Sequence, residues 1–183
     1  MSDEFTRGEK EYLLKIARAT LEKYLFDREK FEPQTTNQRL WEKRGVFVTL
    51  NKRGRLRGCI GYIEPVEALI AAIRDNAIAA ARDPRFLPLE ASELKEIEIE
   101  ISILTLPEKT TSDEIKTGDG VIIRQGGASA TYLPQVWDDL PDRREFFGTL
   151  CEKAGLAAAC YQDKQTQFFK YQAMVFSEKH LGH

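Results

Sequence analysis

The stretch Gly45-Val46-Phe47-Val48-Thr49-Leu50-Asn51-Lys52-Arg53-Gly54-Arg55-Leu56-Arg57-Gly58-Cys59-Ile60-Gly61-Tyr62 reads as a β-hairpin. Residues 45–50 are rich in β-branched and aromatic side chains, 51–54 are turn chemistry, and 55–62 resume an extended pattern. Alternate side chains of a strand share a face. Regular alternation therefore predicts Arg55, Arg57, Cys59 and Gly61 on one side, with Leu56, Gly58, Ile60 and Tyr62 on an apolar side. Residues two apart lie about 6.7 Å apart along the backbone, within reach of a guanidinium, and a fixed cation favours thiolate over thiol. Cys59 is thus a candidate nucleophile or ligand-holding thiol, with Arg57 as its stabiliser and anion clamp. Two other readings stand beside this one. Free cysteine usually packs as a small hydrophobe, and a bulge at Gly58 or Gly61 would reverse the faces.

Outward from the hairpin, Thr6 and Glu9 form a capping-box pattern, followed by Leu13, Ile16, Ala17, Thr20, Leu21, Tyr24 and Leu25 at helical spacing. A polar connection spans 31–41. Pro65 is expected to open a second helix with Leu69, Ile70, Ile73, Ala77 and Ala80 on one stripe, closed by Asp83-Pro84. Ile97-Glu98-Ile99-Glu100-Ile101-Ser102-Ile103 alternates without exception and predicts a strand with one buried and one solvated face. Its glutamates suit a wet face better than a hard-cation site, which would need further oxygens. Residues 121–124 and 129–133 flank Gln125-Gly126-Gly127-Ala128 as a second hairpin whose glycines lack phosphate-loop spacing. Asp142 and Glu145 predict a helix start, Gly155 its end, and 168–176 a returning strand.

The 183 residues suit a single domain, predicted to span 6–178 with a terminal tail at 179–183, and a chain of this size buries about 70% of its unfolded surface. Against 27 lysines and arginines stand 29 acidic residues, a formal charge of −2. That balance argues against a globally basic nucleic-acid binder, so no DNA partner is expected. Four basic residues at 52, 53, 55 and 57 still permit a local anion or RNA contact, although a solvated hairpin tip is the simpler reading. The acidic start resembles no signal peptide and no run reaches membrane-spanning length, which predicts a soluble cytoplasmic protein. Cys59, Cys151 and Cys160 are an odd set without C-x-x-C spacing, so reduced thiols are expected, with Cys151 packing on its helix. His180 and His183 are the only histidines, both in the tail. Histidine-dependent hydrolases and most catalytic zinc sites are thereby excluded within one chain, and neither metal nor cofactor is expected.

Four blocks occur together: 45–50 through 56–61, Asp83-Pro84-Arg85-Phe86, Ala130-Thr131-Tyr132-Leu133-Pro134-Gln135-Val136-Trp137, and Leu150-Cys151-Glu152-Lys153-Ala154-Gly155-Leu156. In this order they resemble the AMMECR-one domain family over nearly the whole chain. The resemblance implies an α+β fold, a mostly antiparallel sheet covered by helices, with a larger and a smaller part flanking a cleft. It implies no established activity. Stand-alone prokaryotic members resemble the first component of a system with a Memo-like protein and a radical-SAM protein, and RNA modification is one proposed setting. Cys59 and Arg57 are then the candidate catalytic pair, and Gly58, Gly61, Asp83, Arg85, Thr131 and Gln135 the candidate ligand-binding set. A small ligand or RNA is one class of partner; the alternative is an adaptor that docks a protein.

Overall fold

The computed structural model describes residues 4–181, which divide into two compact units, 4–104 with 174–181, and 105–173. In the first, helix α1 (Arg7–Glu22) starts with the capping box that the sequence predicts: the Thr6 hydroxyl accepts the Glu9 N–H, and the Glu9 carboxylate accepts the Thr6 N–H at 2.8 Å. A π-helical turn, Lys23–Asp27, follows. Helix α2 (Leu69–Ala80) begins later than Pro65 suggests. Ala68 bridges to Lys43, and the Leu69 N–H donates to the Glu42 carbonyl at 2.9 Å, so this backbone is tied to a neighbour before the helix can start.

Strands β1 (Val46–Lys52), β2 (Arg55–Tyr62), β3 (Ile97–Leu104) and β8 (Ala173–Ser177) form a sheet in the order β2-β1-β3-β8, with β1 antiparallel to both β2 and β3. Val46, Val48 and Leu50 align with Ile103, Ile101 and Ile99 on one fully buried face. The apolar stripes of α1 and α2 pack against that face. Each such aliphatic side chain contributes about 1.5–3 kcal/mol on burial, so this layer supplies the main stability of the unit. The opposite face carries Phe47, Thr49, Asn51, Cys59, Glu98, Glu100 and Ser102, all half-buried rather than fully wet.

The second unit holds an antiparallel sheet of β4 (Glu108–Thr110), β7 (Gln167–Tyr171), β5 (Gly120–Gln125) and β6 (Ala128–Tyr132), in that order. Helix α3 (Val136–Asp139) and helix α4 (Arg143–Lys153) complete it. Its core centres on Trp137 and Phe146, stacked with ring centroids 3.6 Å apart, together with Phe147, Leu150 and Phe168. The run 168–176 is not one strand. β7 and β8 belong to different sheets, and at the break Gln172 exchanges backbone and hydroxyl hydrogen bonds with Thr105.

The expectation of three reduced thiols is overturned: Cys151, at the end of α4, is bonded to Cys160. The chain reverses after Gly155, at φ +76°, and a 3₁₀ turn over Ala158–Gln162 brings Cys160 onto the helix. Cys151 is fully buried, as a packing residue would be, and Cys59 is the one free cysteine.

Candidate functional site

The hairpin forms, with Arg53 and Gly54 both at positive φ in its two-residue turn, but its alternation breaks. Leu50 pairs with Gly58 while Asn51 pairs with Leu56, leaving Arg57 as an extra residue in the strand. The break inverts the faces on its turn side. Leu56, opposite Asn51, shares the Cys59 face and is 43% exposed, whereas Arg55 aligns with Lys52. Two arginines flanking the thiol on one face are therefore not what the strand presents.

Arg57 is engaged elsewhere. Its Nε and Nη2 donate to the two carboxylate oxygens of Glu93 at 3.1 and 2.9 Å, and its Nη1 donates to the Leu87 carbonyl at 2.9 Å. Lys52 Nζ donates to the same carboxylate at 2.9 Å. These bonds, Arg57's foremost, hold the Glu93 carboxyl down at about 2. Arg53 pairs with Glu96, so most of the basic cluster at the tip is met by acids.

Cys59 is positioned from two sides. The Thr49 hydroxyl, directly across the β1/β2 pair, donates to Sγ at 3.2 Å. The Cys59 N–H donates to the Asp83 carboxylate at 3.0 Å. Asp83 is only 2% exposed, and its remaining lone pairs accept from the Arg85 backbone and guanidinium, with Nη2 at 2.6 Å. Arg85's hydrogen bonds, then those from the Cys59 and Arg85 backbones, hold the Asp83 carboxyl far below the usual carboxylate range against the opposing effect of burial. Arg85 Nη2 also donates to the Cys59 carbonyl at 3.3 Å. Its side chain remains 57% exposed, so the cation beside Cys59 with a free outer surface is Arg85.

The glycines act by size. A Cβ on Gly58 would lie 2.1 Å from the Ala80 carbonyl oxygen at the end of α2, and one on Gly61 would lie 2.3 Å from the Val46 oxygen and 2.5 Å from the Phe47 ring. Gly58 thus seats β2 against α2, and Gly61 seats it against β1. Neither is among the glycines at positive φ.

Residues 14–176 match the AMMECR1 family. The chain belongs to that family. A protein from Methanothermobacter thermautotrophicus is 41% identical, over 94% of this chain and 96% of its own length. Protein MK0488 from Methanopyrus kandleri is 40% identical, over 98% and 93%. The crystal structure of the uncharacterized protein PH0010 from Pyrococcus horikoshii superposes with a TM-score of 0.80 at 38% identity, covering 94% of this chain and 92% of that one. The α+β class read from the motifs is the observed one.

In this AMMECR1 chain the structure brings together Cys59, Gly58, Asp83 and Arg85, with Arg57 turned toward Glu93. Thr131 and Gln135 lie in the second unit. The Thr131 hydroxyl hydrogen-bonds the Tyr171 hydroxyl at 3.1 Å, and burial pushes Tyr171 up to about 12. Gln135 is exposed at the N-cap of α3. Two residues at the Cys59 site escaped the sequence reading. Thr49 looked like an ordinary strand residue, and Glu100 looked like a solvated one. Glu100 aligns with Thr49 on the half-buried face, and burial, then the neighbouring Glu98, pushes its carboxyl up. The alternation that revealed β3 also held the signal for Glu100, but only the pairing to β1 puts it in the Cys59-Thr49 row. Among the described residues no group of three His, Cys, Asp or Glu could hold a metal ion, and no helix is long and apolar enough to cross a membrane.

Proposed function

We propose that this AMMECR1-domain protein works through the Cys59 thiol, which holds or attacks an anionic ligand while the exposed Arg85 guanidinium receives its charge. The observation that carries this reading is a half-buried free cysteine whose backbone is fixed by a buried, ionised Asp83 and whose Sγ accepts from a hydroxyl donor at 3.2 Å. A cysteine serving only as a small hydrophobe would sit in the apolar layer on the other face. Glu100 stands in the same row on the far side of Thr49, which separates its carboxylate from the thiol. Arg57 positions the loop at Leu87 through its carbonyl contact. Modification of a small molecule or an RNA, alongside Memo-like and radical-SAM proteins, is the setting the family resemblance favours.

Pulse alkylation of the native protein with iodoacetamide, followed by mass mapping, tests the proposal. Cys59 is expected to label in the folded state, more slowly in Thr49→Val and Arg85→Gln. A thiol that stays protected until unfolding would overturn the reading.

One observation favours an adaptor instead. Leu56 is 43% and Leu87 83% exposed, on segments that Arg57 ties together, so the site has an apolar rim suited to a protein partner. Complex formation with a Memo-like protein that survives Cys59→Ser but is lost in Leu56→Asp and Leu87→Asp would select this second reading.

A further inference from the structure

A second feature of the first unit has no part in the Cys59 site. Lys10, on the first turns of α1, is only 4% exposed, yet its ammonium has no hydrogen-bond or ion-pair partner among the described residues. Thr20 Oγ1 is the one fully enclosed side-chain polar atom without a partner among those residues, so the Lys10 ammonium keeps an opening. That opening gives onto a hollow of about 770 Å³ walled by Glu4, Phe5, Arg7, Lys10, Lys179, His180 and Leu181.

The position is unfavourable for an unpaired cation. The first turn of a 16-residue helix carries the positive end of the macrodipole, where acidic groups are preferred. Glu9, the acid of that turn, is used up by Thr6 and by Asn37 Nδ2, which donates to it at 2.8 Å. The backbone N–H groups of Arg7 and Gly8 belong to the set that a helix cannot satisfy internally. Among the described residues that line the hollow, Arg7, Lys10 and Lys179 are accompanied by one carboxylate, that of Glu4. Arg7 and Lys179 do have acidic partners, Glu11 at 3.0 Å and Glu98 at 2.6 Å, but both side chains are largely exposed, 80% and 67%, and can turn to a ligand. A buried ammonium and two flexible cations lining one hollow, at the positive end of a helix, make an oxyanion receptor.

We propose that this hollow binds the phosphoryl group of a small molecule, with Lys10 as its central ligand. Phe5 and Leu181 give the wall an apolar part for the organic remainder. The site is independent of the Cys59 chemistry.

Calorimetric titration of the whole chain with inorganic phosphate, and separately with glycerol 3-phosphate, at matched ionic strength in chloride, tests it. Saturable binding is expected, about ten- to a hundredfold weaker in Lys10→Met, retained in Lys10→Arg, and unchanged in Cys59→Ser. Stronger binding of glycerol 3-phosphate would assign the hollow to a phosphomonoester, stronger binding of phosphate to the free ion, and either supports the site. Without added anion, Lys10→Met should melt no lower than wild type, because it removes an unpaired cation. No saturable binding, or binding that Lys10→Met leaves intact, would overturn the proposal, as would a Lys10→Met protein that melts markedly lower without phosphate.

Discussion

The Asp83 carboxylate accepts the Cys59 backbone N–H at 3.0 Å across 24 positions of sequence, fixing the strand that bears the free thiol to the loop that ends α2. Asp83 is buried and ionised, and Arg85 completes its hydrogen bonding from the same loop. The contact has a consequence for stability in acid. The folded-state value of Asp83 lies below its ordinary 3.8, so its contribution is complete above that value and is lost as pH falls through it toward the depressed one. Glu93 works in the same direction between 4.5 and about 2. The wild-type melting temperature should therefore fall steeply from about pH 5 to about pH 2. Asp83→Asn and Glu93→Gln should each start lower at neutral pH, by about 1–3 kcal/mol, and lose less on acidification. Melting curves across that range check this, and variant curves parallel to wild type would refute it.

Gly58 and Gly61 give a steric prediction. Both sites place backbone oxygens within 2.3 Å of where a Cβ would sit, and backbone cannot yield as a side-chain tip can. Gly58→Ala and Gly61→Ala should each cost about 1–3 kcal/mol, or roughly 2–4 °C of melting temperature per kcal/mol. Gly8 is the control. It lies in α1 with nothing within 4 Å of an added Cβ, so Gly8→Ala should stabilise by up to about 1 kcal/mol.

Much of this was legible in the sequence, because periodicity reports burial directly. The Thr6/Glu9 cap, the alternating β3, the two hairpins and the Asp142 cap appear where local residue chemistry places them. Apart from the Cys151–Cys160 bond, which is local, the misses share a cause, since each depends on a partner far along the chain. Nothing in 168–176 marks the break at Gln172, because Tyr171 and Ala173 face different sheets in an unbroken strand-like run. Arg57 fails to follow alternation because β1 pairs around it, and Glu93, the acid that claims its guanidinium, lies 36 positions away. Arg85 and Asp83 could be nominated from their block, but the exposed cation beside Cys59 could be told from the committed one only once both sets of hydrogen bonds were in view. Glu100 acquires its setting in the same way, from the strand beside it.

The last prediction concerns the bond the sequence reading did not foresee. Cys151 and Cys160 close a short loop, nine positions apart, over the buried core of the second unit. Closing a loop of this size restrains the unfolded chain by about 2–3 kcal/mol. Denatured without reductant, the protein should show one titratable thiol, Cys59; with reductant it should show all three. Reduction should also lower the melting temperature, at roughly 2–4 °C per kcal/mol. Cys151→Ala paired with Cys160→Ala should melt near the reduced protein and lose its sensitivity to reductant, while Cys59→Ser should keep the full reductant-dependent shift. Three free thiols before reduction would refute the pairing. A shift abolished by Cys59→Ser would trace the reductant effect to the site cysteine and not to the loop.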